Sequence, residues 1–365
     1  MLKKFEVKNF KSFKDTMVFD LGSCNGYEYN KIAVENGITK KGIIYGRNGS
    51  GKSNLGLALF DIVKNVTDFE FPITCYGQNY AYIGTINSPT EFKYYFEFEN
   101  GTLSYFYKKS DYQTYLYEEL RINDEVVVIR NNNNIEKLTF DGTEFLQREI
   151  SNDQLSVIAY LKNNSNLDKR KKKDKIFYQF IDFVSRMLFF RSLDTREYVG
   201  YGAGSKNIIE FLVKHKRIKS LEKFLEKAGI KYSLETSGNE VFCKFDKNKV
   251  PLSTIMSSGT KTLLLFFYWL QVLQIEKPAS LLFIDEFDAF YHFELAKAIV
   301  EELKTLEGQT LLTTHNTSLL SNELLRPDCY FVISEQMINS LPNLTDREIR
   351  AVHNLEKLYK AKAFE

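Results

Sequence analysis

The sequence predicts an α/β fold built on a parallel sheet, with an antiparallel β lobe and a mainly helical insertion. Three observations carry that prediction. A short apolar strand, Ile43-Ile44-Tyr45, runs into GRNGSGKS and then into residues spaced as a helix. The apolar run Leu281 to Ile284 ends in two acids, Asp285 and Glu286, as a buried parallel strand does. Between Glu91 and Arg130 the pattern changes to short alternating strands.

Taken in order, residues 2 to 20 read as strand, turn and strand, with Leu2, Phe5 and Val7 before the turn and Val18 and Phe19 after it. Leu55, Leu59, Ile62, Val63 and Val66 recur at helical spacing behind the glycine-rich segment. FKYYFEFENGTLSYFYKK reads as a hairpin with Asn100-Gly101 as its turn. Asn131 to Asn134 is a polar loop. Ile176 to Phe190 and Asn207 to Ala228 read as helices, with the loop GYGAGSK between them. From Val250 the chain alternates loop, helix, strand, helix, strand. A closing helix is expected after Thr345, with Thr345 and Glu348 as a capping box and Leu344 and Ile349 as its staple. The resulting division is 1–130, 131–249 and 250–365, with no fixed-period repeat.

Composition narrows the classes. The chain has 365 residues and 44% hydrophobic content, enough for a large core. A formal net charge of +2 points to no polyanionic partner, so any nucleic-acid role must come from local patches. Cys24, Cys75, Cys243 and Cys329 are scattered, which fits a reducing compartment and neither a disulfide framework nor a zinc site. The opening MLKKFEVKNFKSF lacks the apolar core of a leader, and the longest apolar runs fall short of a bilayer span. A cytoplasmic protein with no membrane partner is expected.

Four segments carry chemistry. Gly46-Arg47-Asn48-Gly49-Ser50-Gly51-Lys52-Ser53 is a full GxxxxGK[ST]. Its glycines let backbone N–H groups curl around phosphate, the helix start adds its dipole, Lys52 faces the β- and γ-phosphates, and Ser53 ligates Mg²⁺. Asp285 is expected to hold Mg²⁺, directly or through water, and Glu286 to polarise the attacking water. Met256-Ser257-Ser258-Gly259-Thr260-Lys261 precedes an apolar helix, so it is either a second anion site or a simple cap. Leu311-Leu312-Thr313-Thr314-His315-Asn316 is a strand ending in a histidine.

The order of these segments resembles the ABC ATPases, and more closely their soluble branch of SMC, RecF and OLD-like (overcoming lysogenisation defect) proteins. KNFKSFKD is similar to that branch's first strand and turn, GRNGSGKS to its phosphate loop, SSGTKTLL to its signature, DEFDAFYH to its Walker B and D-loop, and TTHN to its switch histidine. The resemblance implies a P-loop ABC ATPase head with ATP and Mg²⁺ as cofactors. It implies Glu286, His315 and Lys52 as catalytic residues and Ser53 and Asp285 as metal ligands. Nucleotide would be held by Gly46, Asn48, Gly49, Ser50, Gly51, Lys52, Ser53 and Asn54, by Lys11 and Ser12 near the first turn, and by Ser257, Ser258, Gly259 and Thr260 of the opposite subunit. His292 stands at the D-loop position. A glutamine loop is not placed; Gln113 and Gln154 are guesses at it and are not among the site residues.

The resemblance further implies an ATP-sandwich homodimer, or a higher oligomer. The first functional expectation is a regulatory subunit in anti-phage or foreign-DNA defence that controls a separate nuclease or toxin. Only 50 residues follow His315, against the roughly 100 that a nuclease domain needs. The alternative is a RecF-like DNA-repair ATPase. Its nucleic-acid contacts would be Lys169, Arg170, Lys171, Lys172, Lys173 and Lys175, or Lys214, Lys216, Arg217 and Lys219. The absence of sustained heptads disfavours a long coiled coil, and SSGT with the large middle segment disfavours a transporter subunit.

Overall fold

The computed structural model describes residues 1–364 apart from 68, 70–72, 78, 193–196, 202–206, 277, 290–292 and 335–336. His292 and most of the expected GYGAGSK loop lie outside the described residues.

Strands β1 (Leu2–Lys8) and β2 (Met17–Asp20) pair antiparallel. A short ribbon, β3 (Val34–Glu35) and β4 (Ile38–Thr39), precedes β5 (Lys41–Tyr45). The glycine-rich loop leads into α1 (Lys52–Phe60), and α2 (Ile62–Val66) follows. Successive hairpins then give β6 (Thr90–Phe98), β7 (Gly101–Lys109), β8 (Tyr115–Ile122), β9 (Glu125–Asn131) and β10 (Asn134–Leu138). Helices α3 (Val157–Asn164) and α4 (Lys172–Ser185) lead to β11 (Met187–Ser192) and β12 (Glu197–Gly200). Next come α5 (Ile208–Lys214), α6 (Ile218–Lys227) and a small sheet of β13 (Leu234–Ser237), β14 (Glu240–Phe245) and β15 (Asn248–Pro251). The chain continues through α7 (Leu252–Ile255), α8 (Ser258–Ile275), β16 (Leu281–Ile284), α9 (Phe293–Lys304) and β17 (Gln309–Thr314). It finishes with β18 (Tyr330–Ile333), β19 (Ile338–Ser340) and α10 (Leu355–Lys360).

Two seven-stranded sheets result. One is antiparallel, in the order β10-β9-β8-β7-β6-β1-β2. The other runs β12-β11-β16-β17-β5-β18-β19, parallel from β11 to β18 and antiparallel at both edges. Its strands alternate between two cores, as a period of two requires. Ile44, Phe189, Phe283 and Leu311 face the core shared with α1 and the antiparallel sheet. Ile43, Phe190, Ile284 and Leu312 face the core that holds α8 and α9.

Helix α1 is clamped between the sheets. A Cβ on Gly56 would lie 2.7 Å from the Phe189 ring and 2.9 Å from the Phe283 ring, so only glycine lets the helix approach this closely. On the opposite side the Tyr94 hydroxyl donates to the Ala58 carbonyl at 2.8 Å.

Three details differ from the sequence reading. Phe98 pairs with Gly101, so the hairpin turn is Glu99-Asn100 and Gly101 already belongs to β7. Met187 to Phe190 is strand, not the end of a helix: α4 stops at Ser185 and β11 pairs in parallel with β16. No helix starts at Thr345. Its hydroxyl accepts from the Arg347 N–H, closing a local turn, and Glu348 pairs with Arg350. The helix starts only at Leu355, capped by Asn354, whose side chain accepts from Lys357 N–H at 2.8 Å. Helices predominate in the stretch 131–249, which also lends β11 to the parallel sheet.

A buried polar knot joins α1 to the antiparallel sheet. Asp61, next after α1, accepts from Lys109 at 2.6 Å, from Tyr107 at 2.9 Å and from Tyr80 at 2.8 Å. Both charged partners are almost wholly buried. Asp61→Ala would strand the Lys109 ammonium, at an expected cost of about 3–5 kcal/mol in urea unfolding. Asp61→Ala with Lys109→Met is expected to lose less than Asp61→Ala alone. A loss under about 1 kcal/mol for the single variant, the value of a surface pair, would contradict this.

Candidate functional site

The site forms where β5, β17 and β16 end side by side. A tight approach shapes the loop after β5. A Cβ on Gly46 would lie 2.3 Å from Ser50 Oγ and 2.7 Å from Ile333 Cγ2, so the loop closes only on a glycine. Gly51 caps α1 with φ of 98°, in the left-handed region, and its missing Cβ would sit 2.8 Å from the Phe13 ring. Residues 46 to 50 line a cavity of about 650 Å³ at the ends of β5 and β18. Asn48 and Gly49 are exposed there, whereas Ser50 is buried and its Oγ has no partner among the described residues. Lys52 is buried and folds back over the loop, donating to the Gly46 carbonyl at 2.8 Å and the Arg47 carbonyl at 3.2 Å.

Asp285 ties this loop to the next strands. Its carboxylate accepts from the Thr313 hydroxyl of β17 at 2.5 Å, and the Ser53 hydroxyl at the start of α1 lies beside it. Burial pushes its carboxyl up from the ordinary range, while the two hydroxyls and the Lys52 charge oppose that shift. A cation at Ser53 and Asp285 would supply the counter-charge that burial demands, so these residues fit Mg²⁺. Glu286 leaves the strand with φ of 46°, an unfavourable conformation for a non-glycine residue. Its side chain is exposed, and its N–H donates to Thr313 Oγ1 at 2.8 Å. Thr313 therefore holds both acids of the pair.

His315 follows β17 directly and is exposed. The buried Asp288 lies beside it; burial raises that carboxyl, and the Thr314 hydroxyl and the His315 charge counter it. Ser12 also reaches the loop, accepting from Asn54 Nδ2 at 2.8 Å. Lys11 sits next to it with φ of 53° and its ammonium 5.9 Å from the centre of the Tyr76 ring.

The segment 257–260 stands apart from this cluster, at the N-terminus of α8. Ser257 caps the helix, accepting from Thr260 N–H at 3.2 Å. Ser257 and Ser258 are exposed, Gly259 is half-buried and Thr260 is buried. The helix packs on α5 and α6 in the second core, whereas α1 lies in the first.

Residues 43–321 match the protein family described as "AAA domain, putative AbiEii toxin, Type IV TA system". The chain belongs to that family. With its motifs on one parallel sheet beside an antiparallel one, this AAA-family chain has a mixed α/β P-loop fold. Among solved structures it is similar to the SMC head domain from Thermotoga maritima, with 16% identity and a TM-score of 0.44 over 93% of this chain and 98% of that one. It is similar also to the Smc head domain with an extended coiled coil bound to the C-terminal domain of ScpA, derived from Pyrococcus furiosus. There the identity is 16% and the TM-score 0.44, over 94% of this chain and 97% of that one. No curated protein matches it.

Sequence reasoning missed Thr313 and Asp288. Thr313 was visible only as a strand residue; the signal would have been a hydroxyl on β17 opposite the two acids. The basic run proves largely paired. Arg170 bonds Asp168 at 2.9 Å, Lys171 bonds Asp141 at 2.5 Å, Lys173 lies 3.6 Å from Glu125, and Lys169 lies over the Tyr178 ring.

Thr313→Val removes both hydrogen bonds and keeps the shape. It is expected to weaken Mg²⁺-dependent nucleotide binding about 10- to 100-fold, as loss of a ligand-orienting partner does. Thr313→Ser should restore it. Titration calorimetry with and without Mg²⁺ reads the difference, and an unchanged affinity for Thr313→Val would remove the role given to this hydroxyl.

Proposed function

We propose that this chain binds Mg²⁺ and ATP, hydrolyses the nucleotide, and works as a homodimer in which two heads close head-to-tail over two ATP molecules. The observation that carries this reading is the Asp285 carboxylate, which accepts from the Thr313 hydroxyl of β17 at 2.5 Å and has the Ser53 hydroxyl at the start of α1 beside it. It brings the phosphate-binding and metal-binding halves to one point.

Roles follow from chemistry. The loop N–H groups of residues 46 to 51, the Ser50 hydroxyl and the N-terminus of α1 hold the phosphates, with Asn54 beside them. Lys52 leaves its carbonyl partners to face the β- and γ-phosphates. Lys11 and Ser12 border the nucleotide from the first turn. Mg²⁺, held by Ser53 and Asp285, supplies charge neutralisation on the phosphate oxygens. Glu286 accepts a proton from the water whose oxygen attacks the γ-phosphorus, as the bond to the bridging oxygen breaks and ADP leaves. His315, steadied by Asp288, contacts the γ-phosphate.

The exposed hydroxyls at the start of α8 support the dimer. Ser257, Ser258, Gly259 and Thr260 form a helix N-terminus at which the Ser257 and Ser258 side chains are exposed. They complete the site of the partner head.

The broader role we propose is regulation of a separate effector in defence against phage or foreign DNA, in the cytoplasm. The family description, which names a toxin of a type IV toxin–antitoxin system, supports that setting. Within it, the middle stretch 131–249 acts as the partner-holding lobe between the two halves of the head. Among the described residues no helix is long and apolar enough to cross a membrane. The paired state of the basic run counts against nucleic acid as the main partner.

Glu286→Gln is expected to bind ATP and to lose about 10²–10⁴ in turnover, the usual contribution of a positioned base. Hydrolysis at the wild-type rate would reject Glu286 as the base. Ser257→Arg should bind ATP yet fail to hydrolyse it, and mixing it with Lys52→Ala should recover activity from one composite site per mixed dimer. Full activity of Ser257→Arg alone would end the dimer reading. For the effector, purification with ATP, with ADP and as Glu286→Gln should yield a partner whose binding depends on nucleotide. A chain that stays alone in every state and is toxic by itself would reject regulation.

A further inference from the structure

One strand at the site carries a cation that the mechanism leaves unused. β11 lies beside β16, on the side away from the phosphate loop, and Phe190 pairs with Ile284. The Asp285 N–H still donates to the Phe190 carbonyl, at 2.9 Å. Arg191 is therefore the next residue in register, level with Asp285.

Its direction follows from its partner. The guanidinium donates to Cys75 Sγ, and Cys75 belongs, with Phe189, to the core that α1 fills. Phe189 meets Gly56, one helical turn along from Lys52. A turn of helix rises about 5.4 Å, and two strand residues span about 6.6 Å. Arg191 thus stands at the height of Lys52 and Ser53, at the positive end of the helix.

A second cation stands close to it. The Lys11 ammonium is held below its ordinary range first by burial and next by the charge of Arg191. Lys11 neighbours Ser12, which bonds Asn54 of the same helix. The Arg191 guanidinium reaches Cys75 Sγ, at 3.3 Å. Like charges raise each other's energy at short range. Lys11, Lys52 and Arg191 around one helix N-terminus make a setting for an anion with several charges.

The strand order says which part of that anion Arg191 meets. From the phosphate loop on β5, the ends of β17, β16 and β11 follow in turn, about 4.8 Å apart. A polyphosphate anchored at the loop and its metal at β16 extends toward β11 with its terminal phosphate. We propose that Arg191 contacts the third phosphate of the bound nucleotide and sets the preference for a triphosphate over a diphosphate. This rests on the ATP reading above and adds to it a specificity residue.

The test uses a fluorescent ADP and a fluorescent non-hydrolysable ATP analogue, each titrated with Mg²⁺ into wild type, Arg191→Gln and Arg191→Lys. Arg191→Gln is expected to lose about 10- to 100-fold in affinity for the triphosphate, the worth of one charge-assisted hydrogen bond, while its affinity for ADP stays within about twofold. Arg191→Lys should recover part of the loss. Equal weakening of both nucleotides, or no weakening of either, would overturn the role of Arg191 while leaving the ATP reading intact. If wild type binds neither nucleotide, the ATP reading fails and this proposal with it.

Discussion

The site depends on one buried carboxylate. Asp285 accepts from Thr313 and has the Ser53 hydroxyl beside it, so a helix start, a strand end and the carboxylate's own strand meet at a single group. Burial of an ionised carboxylate is costly, and hydrogen bonds from hydroxyls only partly offset it. Thr313 adds a second constraint: it donates to Asp285 and accepts from the Glu286 backbone, which bends away in the left-handed region. One threonine thus fixes the relative placement of two adjacent acids.

The rest of the fold holds that meeting point still. The parallel sheet sets β5, β17 and β16 in register, and each strand buries both faces. Helix α1 cannot shift along the sheet without driving Gly56 into Phe189 and Phe283. Its far end is tied to the antiparallel sheet through Asp61 and Lys109, and α2 through Asn65, which bonds Tyr105 and Tyr115. Glu118 and Arg130 form a second wholly buried pair farther along the same sheet. The helix that follows the phosphate loop is thus anchored at its far end to the antiparallel lobe.

Much of this was legible in the sequence because it is local. GRNGSGKS requires a particular turn before a particular helix, and LLFIDE and LLTTHN are strands whose chemistry sits at their ends. The hairpins of the antiparallel sheet announced themselves by alternation. What sequence could not give is pairing between distant segments. Met187 to Phe190 is apolar enough for either helix or strand, and only its place beside β16 decides for strand. That ambiguity hid Arg191. The capping pattern at Thr345 failed as well: Glu348 pairs with Arg350 instead of reaching back, and the helix starts only at Leu355. Thr313 and Asp288 acquire their meaning only from neighbours on other elements.

The central claim is that Ser53 and Asp285 together form a metal site completed by the nucleotide. Electron paramagnetic resonance of Mn²⁺, substituted for Mg²⁺, tests it most directly. The account predicts that wild type binds one Mn²⁺ per chain when ATP is present, and that Asp285→Ala with ATP leaves the ion in solution. Tight Mn²⁺ binding that is indifferent to ATP, or that survives Asp285→Ala, would contradict it.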